Sequence, residues 1–326
     1  MIYMITVKDI ANLAGVSPAT VSNVLNGKAN VGQETKEKVL SICRDNGYNP
    51  NVYARNLKTK NPRTLLFTFS DFDRKFYLDV IHGIHDYVDA HDYDLLICTG
   101  KSCEKYMDPH ITSGCIALDG KLESDVLIRR AGKNYPVVVL DRLLDHPYIK
   151  SILVNNYKPM YELTAKLIGR GYRRFAFLGG IENTADNKER YQAFQDALAD
   201  SGLNFTRDRY ISGDWHEESG RRAAQILMLT NPCPEVLVCA NDNMAVGAIE
   251  VFRDNGLVIG QDILVTGFDN NDVASYNSIT TIDIPDYERG YLAAQALVGN
   301  IEGEMDASVF RISAKIIERQ SAKFSD

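Results

Sequence analysis

The chain has 326 residues, of which 45% are apolar and 24% are charged, so it is long and apolar enough for a globular protein of two or three domains. The sequence lacks the run of about 18 apolar residues that a membrane-spanning helix needs. Its first residues, MIYMITVKDI, also lack the basic and long apolar segments of a secretion signal. We therefore expect a cytoplasmic protein with no membrane partner.

The net charge of −7 is distributed unevenly along the chain. Residues 1–60 carry eight Lys or Arg and four Asp or Glu, a net charge of +4, whereas the remaining residues carry −11. A small basic segment on an acidic body predicts a module that binds a polyanion. The six cysteines have neither C-x-x-C nor Cys/His metal spacing, so we expect free thiols, no metal and no cofactor.

Two short helices are predicted near the N-terminus. The segment TVKD at positions 6–9 matches a capping box with Asp in place of the usual Glu, and the apolar residues after it have helical spacing up to Gly15. Ser17 is then the predicted N-cap of a second helix, with Pro18 at its first position. The Gly-containing turn between the two predicts a helix-turn-helix.

The second helix is predicted to bury Val21, Val24 and Leu25. Its outward positions hold small residues: Pro18, Ala19, Ser22 and Asn23. A third helix is predicted over about residues 33–46, and it ends at Gly47.

The segment TVKDIANLAGVSPATVSNVLNG, followed by ETKEKVLSICRDNGYNPNVYARNLKT, closely resembles the DNA-binding head of the lactose/galactose-repressor (LacI/GalR) family. The match covers nearly all of residues 5–60. The resemblance implies an all-α helix-turn-helix head over residues 1–48 and a hinge helix with its linker over residues 49–63. It also implies a homodimer that binds a pseudo-palindromic double-stranded operator.

By this resemblance the second helix enters the major groove, where its small side chains allow close approach. The hinge folds on DNA, pairs with its dimer mate and inserts Leu57 as an apolar wedge into the minor groove; an ordinary packing role is the alternative for Leu57. The implied DNA contacts are Thr6, Ser17, Pro18, Ala19, Thr20, Ser22, Asn23, Asn26, Tyr48, Asn51, Ala54, Leu57 and Lys58.

Asn23 departs from the family, which usually has Arg at this position. Arg suits a guanine edge, whereas Asn pairs best with N6 and N7 of adenine. We therefore expect Asn23 to change the operator sequence without removing DNA binding. A second departure is Gly32, which stands where the family commonly has Ser as the N-cap of the third helix.

From Thr64 onward, apolar strand-like runs alternate with helical patterns. The predicted strands cover 64–69, 94–98, 114–118, 136–140, 174–178, 235–240 and 263–268, and the predicted helices cover roughly 75–91, 157–170, 187–202, 216–229, 243–255 and 286–299. This alternation predicts an α/β fold with two halves of doubly wound parallel sheets.

The resemblance implies that residues 64–326 form a two-lobed, periplasmic-binding-protein-like body for effector binding and dimerisation. Its first lobe covers 64–154 and 283–312, and its second lobe covers 155–282 and 313–326. The segment 99–113 is shorter than its counterpart in the family, where a helix near the dimer interface generally lies.

The resemblance also implies an effector cleft between the lobes, at the carboxyl ends of the strands. The implied effector contacts are Phe76, Tyr77, Asp141, Arg190, Trp215, Asn241 and Asp269. Arg190 and Asp269 suit adjacent hydroxyls, and Trp215 suits a sugar ring, although a purine could stack there equally well. The alternatives are core positions for Phe76 and Tyr77, a helix cap for Asn241 and a surface ion pair for Arg190.

These patterns favour a ligand-responsive transcription repressor with a sugar-like effector. A sugar-uptake receptor is the second class of protein, and the head argues against it. An enzyme is the third, but the sequence contains no G-x-S-x-G, P-loop or H-E-x-x-H motif.

Overall fold

The computed structural model describes residues 5–25, 31–48, 62–72, 74 and 76–324. Contacts divide the chain into two compact units, Met1–Pro62 and Arg63–Asp326, which we call the head and the body.

The head contains the helices α1 (Val7–Ala14), α2 (Pro18–Leu25) and α3 (Gln33–Asp45). The predicted capping box is confirmed, because the Thr6 backbone N–H donates to Asp9 Oδ2 at 2.9 Å and the Asp9 N–H donates to Thr6 Oγ1 at 3.4 Å. Gly15 ends α1 with a φ of +67°, in the left-handed region that favours glycine. Ser17 Oγ accepts from the backbone N–H of Thr20 at 3.1 Å and so caps α2, as predicted.

A small apolar core joins the three helices of the head. It consists of Ile10, Ala11, Ala14, Val21, Val24, Val39 and Cys43. Leu25 is only partly buried, in contrast to the prediction, because it lies in the last turn of α2 at the edge of this core.

The body alternates strands with helices. Its strands are β1 (Thr64–Phe69), β2 (Asp94–Thr99), β3 (Gly114–Leu118), β4 (Val137–Val139), β5 (Ile149–Val154), β6 (Phe175–Gly179), β7 (Tyr210–Ser212), β8 (Val236–Cys239), β9 (Leu264–Thr266), β10 (Thr281–Asp283), β11 (Val309–Ile312) and β12 (Lys315–Ile317). Its helices are α4 (Phe76–Ala90), α5 (Cys103–Tyr106), α6 (Ser124–Arg130), α7 (Tyr157–Gly169), α8 (Ala185–Asp200), α9 (Glu217–Met228), α10 (Asp242–Asp254), α11 (Asp272–Tyr276) and α12 (Asp286–Glu302).

Two parallel sheets organise the body into two lobes. In the first lobe the strand order is β11-β5-β4-β3-β1-β2, and in the second lobe it is β7-β6-β8-β9. β10 and β12 pair as an antiparallel ribbon. The doubly wound α/β architecture predicted from the sequence is therefore confirmed.

Both faces of the first sheet are covered, which explains why its strands are continuous apolar runs. On β1, Leu65 and Phe67 pack on the side of α4 and α12, with Val80 and Ala293. Leu66 points to the opposite face and belongs to a separate buried cluster on that side.

The chain moves between the lobes at three places within the described part of the body. It leaves the first sheet after β5, returns with α12, which packs along α4, and leaves again after β11. The short strands β7 and β10 were not predicted, whereas β4 and β9, which are equally short, lie within longer apolar runs that were. After Thr99, the last residue of β2, the short segment 99–113 forms a 3₁₀ turn and the single-turn helix α5.

None of the helices in the described ranges has the length and apolar character needed to cross a membrane. All six cysteines are free thiols.

Candidate functional site

A cavity of about 780 Å³ lies between the two lobes of the body. Its walls are the loops that follow β1, β3 and β4 in the first lobe and β6, β7 and β9 in the second. The carboxyl ends of parallel strands meet at one edge of each sheet, and this edge is where ligands bind in such folds.

Arg190 and Asp269 form a buried ion pair on the second-lobe wall. Arg190 is 3% exposed, and its Nη1 lies 3.4 Å from Asp269 Oδ1. The guanidinium also donates to the side-chain oxygen of Asn156 at 2.9 Å and to the carbonyl of Ala240, and it lies over the ring of Phe268. These contacts exclude the alternative of a surface ion pair for Arg190.

Burial raises the pKa of Asp269, and the positive charge of Arg190 opposes that shift. Asp269 has a φ of +105°, and its backbone N–H donates to the carbonyl of Ile282 at 2.8 Å. This hydrogen bond therefore holds Asp269 in an unusual backbone conformation at the edge of the cavity.

Trp215 lines the same cavity from the second lobe and is 5% exposed. Its φ of +74° is rare for a bulky residue, and its carbonyl accepts a 2.9 Å hydrogen bond from Asn241 Nδ2. Gly180 lies directly against the indole, so that a Cβ at this position would overlap the ring. The guanidinium of Arg190 lies 5.6 Å from the ring centre.

Phe76 and Tyr77 begin α4 on the first-lobe wall, and both line the cavity. Their rings stack with centroids 4.2 Å apart. Tyr77 is also part of the lobe core, and burial raises the pKa of its phenol. The core alternative and the cavity position therefore both apply to Tyr77.

Asp141 follows β4 and lines the cavity beside Arg142, whose Nε lies 3.0 Å from Asp141 Oδ1. Burial raises the pKa of Asp141 above its ordinary value, and the positive charge of Arg142 opposes part of this shift. Arg142 also donates to the carbonyls of Leu122 and Asp119, so it ties the loops after β3 and β4 together.

Asn241 does not lie on the cavity wall. Its Oδ1 accepts from the backbone N–H of Met244 at 3.0 Å and caps α10, while its Nδ2 supports the Trp215 carbonyl. The structure thus favours the helix-cap alternative for Asn241, because these two backbone partners hold its amide away from the cavity.

Among the residues that the structure describes, two contacts at the cavity join the lobes. His216 Nε2, from the second lobe, lies 3.4 Å from Asp71 Oδ2 in the loop after β1. The guanidinium of Arg74, from the same loop, lies 5.3 Å from the centre of the Trp215 ring.

In the head, the first turn of α2 presents Ser17, Pro18 and Ala19 to solvent. Thr20, Ser22 and Asn23 are half-buried along the same helix. The hydroxyls of Ser17 and Thr20 lie 2.9 Å apart, so each can exchange this bond for a phosphate oxygen.

The remaining predicted DNA contacts lie elsewhere on the head and hinge. Thr6 is exposed, but its hydroxyl donates to Asp9. Tyr48 is half-buried against the core of the head. The predicted contacts outside the described residues are Asn26, Asn51, Ala54, Leu57 and Lys58.

Comparison with known proteins agrees with the division of the chain into a head and a body. Residues 6–51 match the family described as bacterial regulatory proteins, lacI family, and residues 164–322 match a periplasmic binding protein-like domain. The HTH-type transcriptional repressor PurR of Photobacterium profundum is 30% identical, over 98% of this chain and 99% of the relative. The chain belongs to the lacI family of bacterial regulatory proteins.

Solved structures have the same fold. The transcriptional regulator CelR in complex with cellobiose is 25% identical, with a TM-score of 0.72 over 98% of this chain and 100% of that one. The lac repressor dimer bound to operator and an anti-inducer is 23% identical, with a TM-score of 0.83 over 98% and 99% of the two chains. The family match of the head and the similarity to the PurR repressor make this chain a DNA-binding transcriptional regulator.

The sequence analysis of this lacI-family regulator did not predict several charged residues that line the cavity. They are Asp71, Arg74, Lys121, Arg142, Asp186, Asp214, His216 and Arg289. A signal existed for Arg289, which falls on the helical stripe of small apolar residues Gly290, Ala293 and Ala294 in α12 and is 4% exposed. A charge on a buried stripe indicates a paired or ligand-facing group.

Proposed function

We propose that this regulator is a repressor whose affinity for operator DNA changes when a sugar or sugar derivative binds in the cavity between the lobes. The observation that carries the proposal is the buried pair of Arg190 and Asp269 at the cavity wall. A charged donor beside a charged acceptor matches two adjacent hydroxyls, each of which both donates and accepts.

The aromatic side chains favour a sugar over a purine. A flat purine is best held between two free aromatic faces, but Phe76 is stacked on Tyr77 and its ring is also covered by Arg74 at 4.5 Å. Trp215 has Gly180 against its ring. In this proposal the edge of the indole that lines the cavity meets the C–H face of one sugar ring.

We further propose that the chain acts as a homodimer on a pseudo-palindromic operator. One α2 helix covers too few base pairs for specific binding, and a two-fold protein matches a two-fold site. The lac repressor is a dimer on its operator and CelR binds cellobiose, which supports the same partners here. In this proposal the head is residues 1–48, the hinge and linker are 49–63, and the body has no catalytic role.

The coupling between ligand and DNA requires a ligand that binds two arrangements of the lobes with different affinities. The contacts that span the cavity, Asp71 with His216 and Arg74 with Trp215, are the ones that such a rearrangement would change. We place this switch in the cytoplasm, together with the DNA that it regulates.

The test is a thermal-shift screen of sugars, sugar phosphates and purines against the full chain, followed by titration of tryptophan emission. Trp215 is the sole tryptophan of the sequence, so a ligand in the cavity should give a saturable change in emission. The Arg190→Ala variant should lose both signals. A purine as the only ligand that shifts the melting temperature would contradict the proposal.

A further inference from the structure

The carboxylates of the inter-lobe cavity all have partners within the described residues. Asp141 pairs with Arg142, Asp269 with Arg190, Asp71 with His216, Asp214 with Arg222 and Asp186 with the Asn156 amide. Each acidic group of the wall therefore already has an ionic or hydrogen-bonding partner before a ligand arrives.

Two cations of the first-lobe wall, Arg74 and Lys121, have no ion-pair partner in the described part of the chain. Among the described residues, neither Arg74 nor Lys121 has a carboxylate within ion-pair distance. The Arg74 guanidinium contacts the rings of Phe76, Tyr77 and Trp215, at 4.5, 5.8 and 5.3 Å from the ring centres, and its charge also opposes the rise in the pKa of Asp269. The Lys121 ammonium contacts the Ser70 carbonyl at 3.4 Å.

Within the described residues, two guanidinium groups of the cavity also have a buried N–H donor without an acceptor. In the described part of the chain, the buried side-chain nitrogens without a hydrogen-bond partner are Arg74 Nε and Arg289 Nε, and both residues line this cavity. An unpaired buried donor costs about 1–3 kcal/mol, and more when the group is charged. A ligand that supplies an acceptor at this wall would remove that cost.

Arg74 and Lys121 lie on neighbouring loops. Arg74 follows β1 and Lys121 follows β3, and these two strands pair in register. The loop after β1 also contains Ser70, the residue that Lys121 contacts. The face of the Arg74 guanidinium is used by the aromatic rings, and its N–H edge suits the two oxygens of an anionic group.

We propose that the effector is a hydroxylated ring that carries one anionic group, a carboxylate or a phosphate, and that this group binds Arg74 and Lys121. The inference rests on the proposed function, because it places the ring hydroxyls at Arg190 and Asp269. It adds the charge of the ligand and the first-lobe residues that select it. A neutral sugar would leave both cations opposite uncharged hydroxyls.

The test measures ligand affinity by calorimetry with the full chain. The probes are glucose, galactose, mannose and fructose, each with its uronate or other sugar acid and its phosphate ester, so the panel separates carboxylate from phosphate. We expect at least one charged probe to bind about 10-fold or more tightly than its neutral parent, since charged hydrogen bonds contribute more than neutral ones. Raising the salt concentration should reduce this preference.

The matched variants are Lys121→Gln and Lys133→Gln, which remove the same charge from exposed positions of the first lobe, inside and outside the cavity. Lys121→Gln should weaken the charged probe about 10-fold and leave the neutral parent unchanged. Lys133→Gln should change neither affinity. Arg74→Gln should weaken the charged probe further, because it removes the bidentate edge.

Three results would overturn the inference. A neutral sugar that binds as tightly as its charged derivatives would leave the proposed function intact and refute the anionic group. Equal effects of Lys121→Gln and Lys133→Gln would do the same. Binding of no charged probe at all would refute the anionic ligand, and a response to purines alone in the thermal-shift screen would also refute the proposed sugar effector.

Discussion

Replacing Arg190 by Met should destabilise the body and abolish effector binding together. The variant keeps an apolar stem against Phe268 but removes the guanidinium that pairs with Asp269. The carboxylate of Asp269, whose side chain is 6% exposed, then remains buried without its cation, and Asn156 and Ala240 lose a donor.

Breaking a buried ion pair by removing one partner costs about 3–5 kcal/mol. For domains of about 150–250 residues each kcal/mol corresponds to a shift in melting temperature of roughly 2–4 °C, so the expected loss for the larger body is at most roughly 6–20 °C. The double variant Arg190→Met/Asp269→Asn should lose less than the sum of the two single variants, because it leaves no unpaired charge.

The assay is denaturant unfolding followed by the emission of Trp215, which is buried near the pair. Wild type, both single variants and the double variant complete a thermodynamic cycle. A loss below about 1 kcal/mol for Arg190→Met, which is the range of an exposed pair, would refute the account of a buried pair. Additive losses in the double variant would refute the coupling between the two residues.

Three further changes test other parts of the protein. Gly180→Ala should displace the indole of Trp215, because a Cβ at this position would overlap the ring. We expect an altered emission spectrum and weaker effector binding. An unchanged spectrum would show that Gly180 does not fix the position of the indole. Asn23→Arg should shift the selected operator toward guanine at one symmetric pair of positions, by about 1–3 kcal/mol of discrimination; identical consensus sites for both proteins would show that Asn23 contacts no base. Burial raises the pKa of Asp286 to about 7, although Arg289 opposes the shift. The stability contributed by its proton is therefore fully present below about pH 4 and is lost as the pH rises through 7. Over this range the unfolding free energy of wild type should fall relative to that of Asp286→Asn. Parallel pH profiles for the two proteins would contradict this prediction.

The long apolar strands and the helices between them were predictable from the sequence. TLLFTF and GCIAL form β1 and β3 at the predicted residues, because buried parallel strands need unbroken apolar runs. IKSILV forms β5 but was not predicted, since Lys150 and Ser151 interrupt its apolar pattern.

The resemblance to the family supplied the candidate site residues, and two of them follow recognisable strands. Asp141 follows PVVVL and Asp269 follows ILVTGF, and both line the cavity. Asn241 follows a strand as well, but its amide caps a helix, and strand position alone cannot separate these outcomes. Arg74 was missed because its importance depends on Trp215, a residue far along the chain that only the tertiary structure brings near it.

The central claim is that a ligand in the cavity of the body changes the affinity of the head for DNA. The most direct measurement is the affinity of the full chain for its selected operator, with and without the sugar that saturates the Trp215 emission change. We expect a change of about 5–150-fold, and an equal reciprocal change in sugar affinity when operator is present. A sugar that saturates the Trp215 signal while operator affinity stays constant would contradict the account.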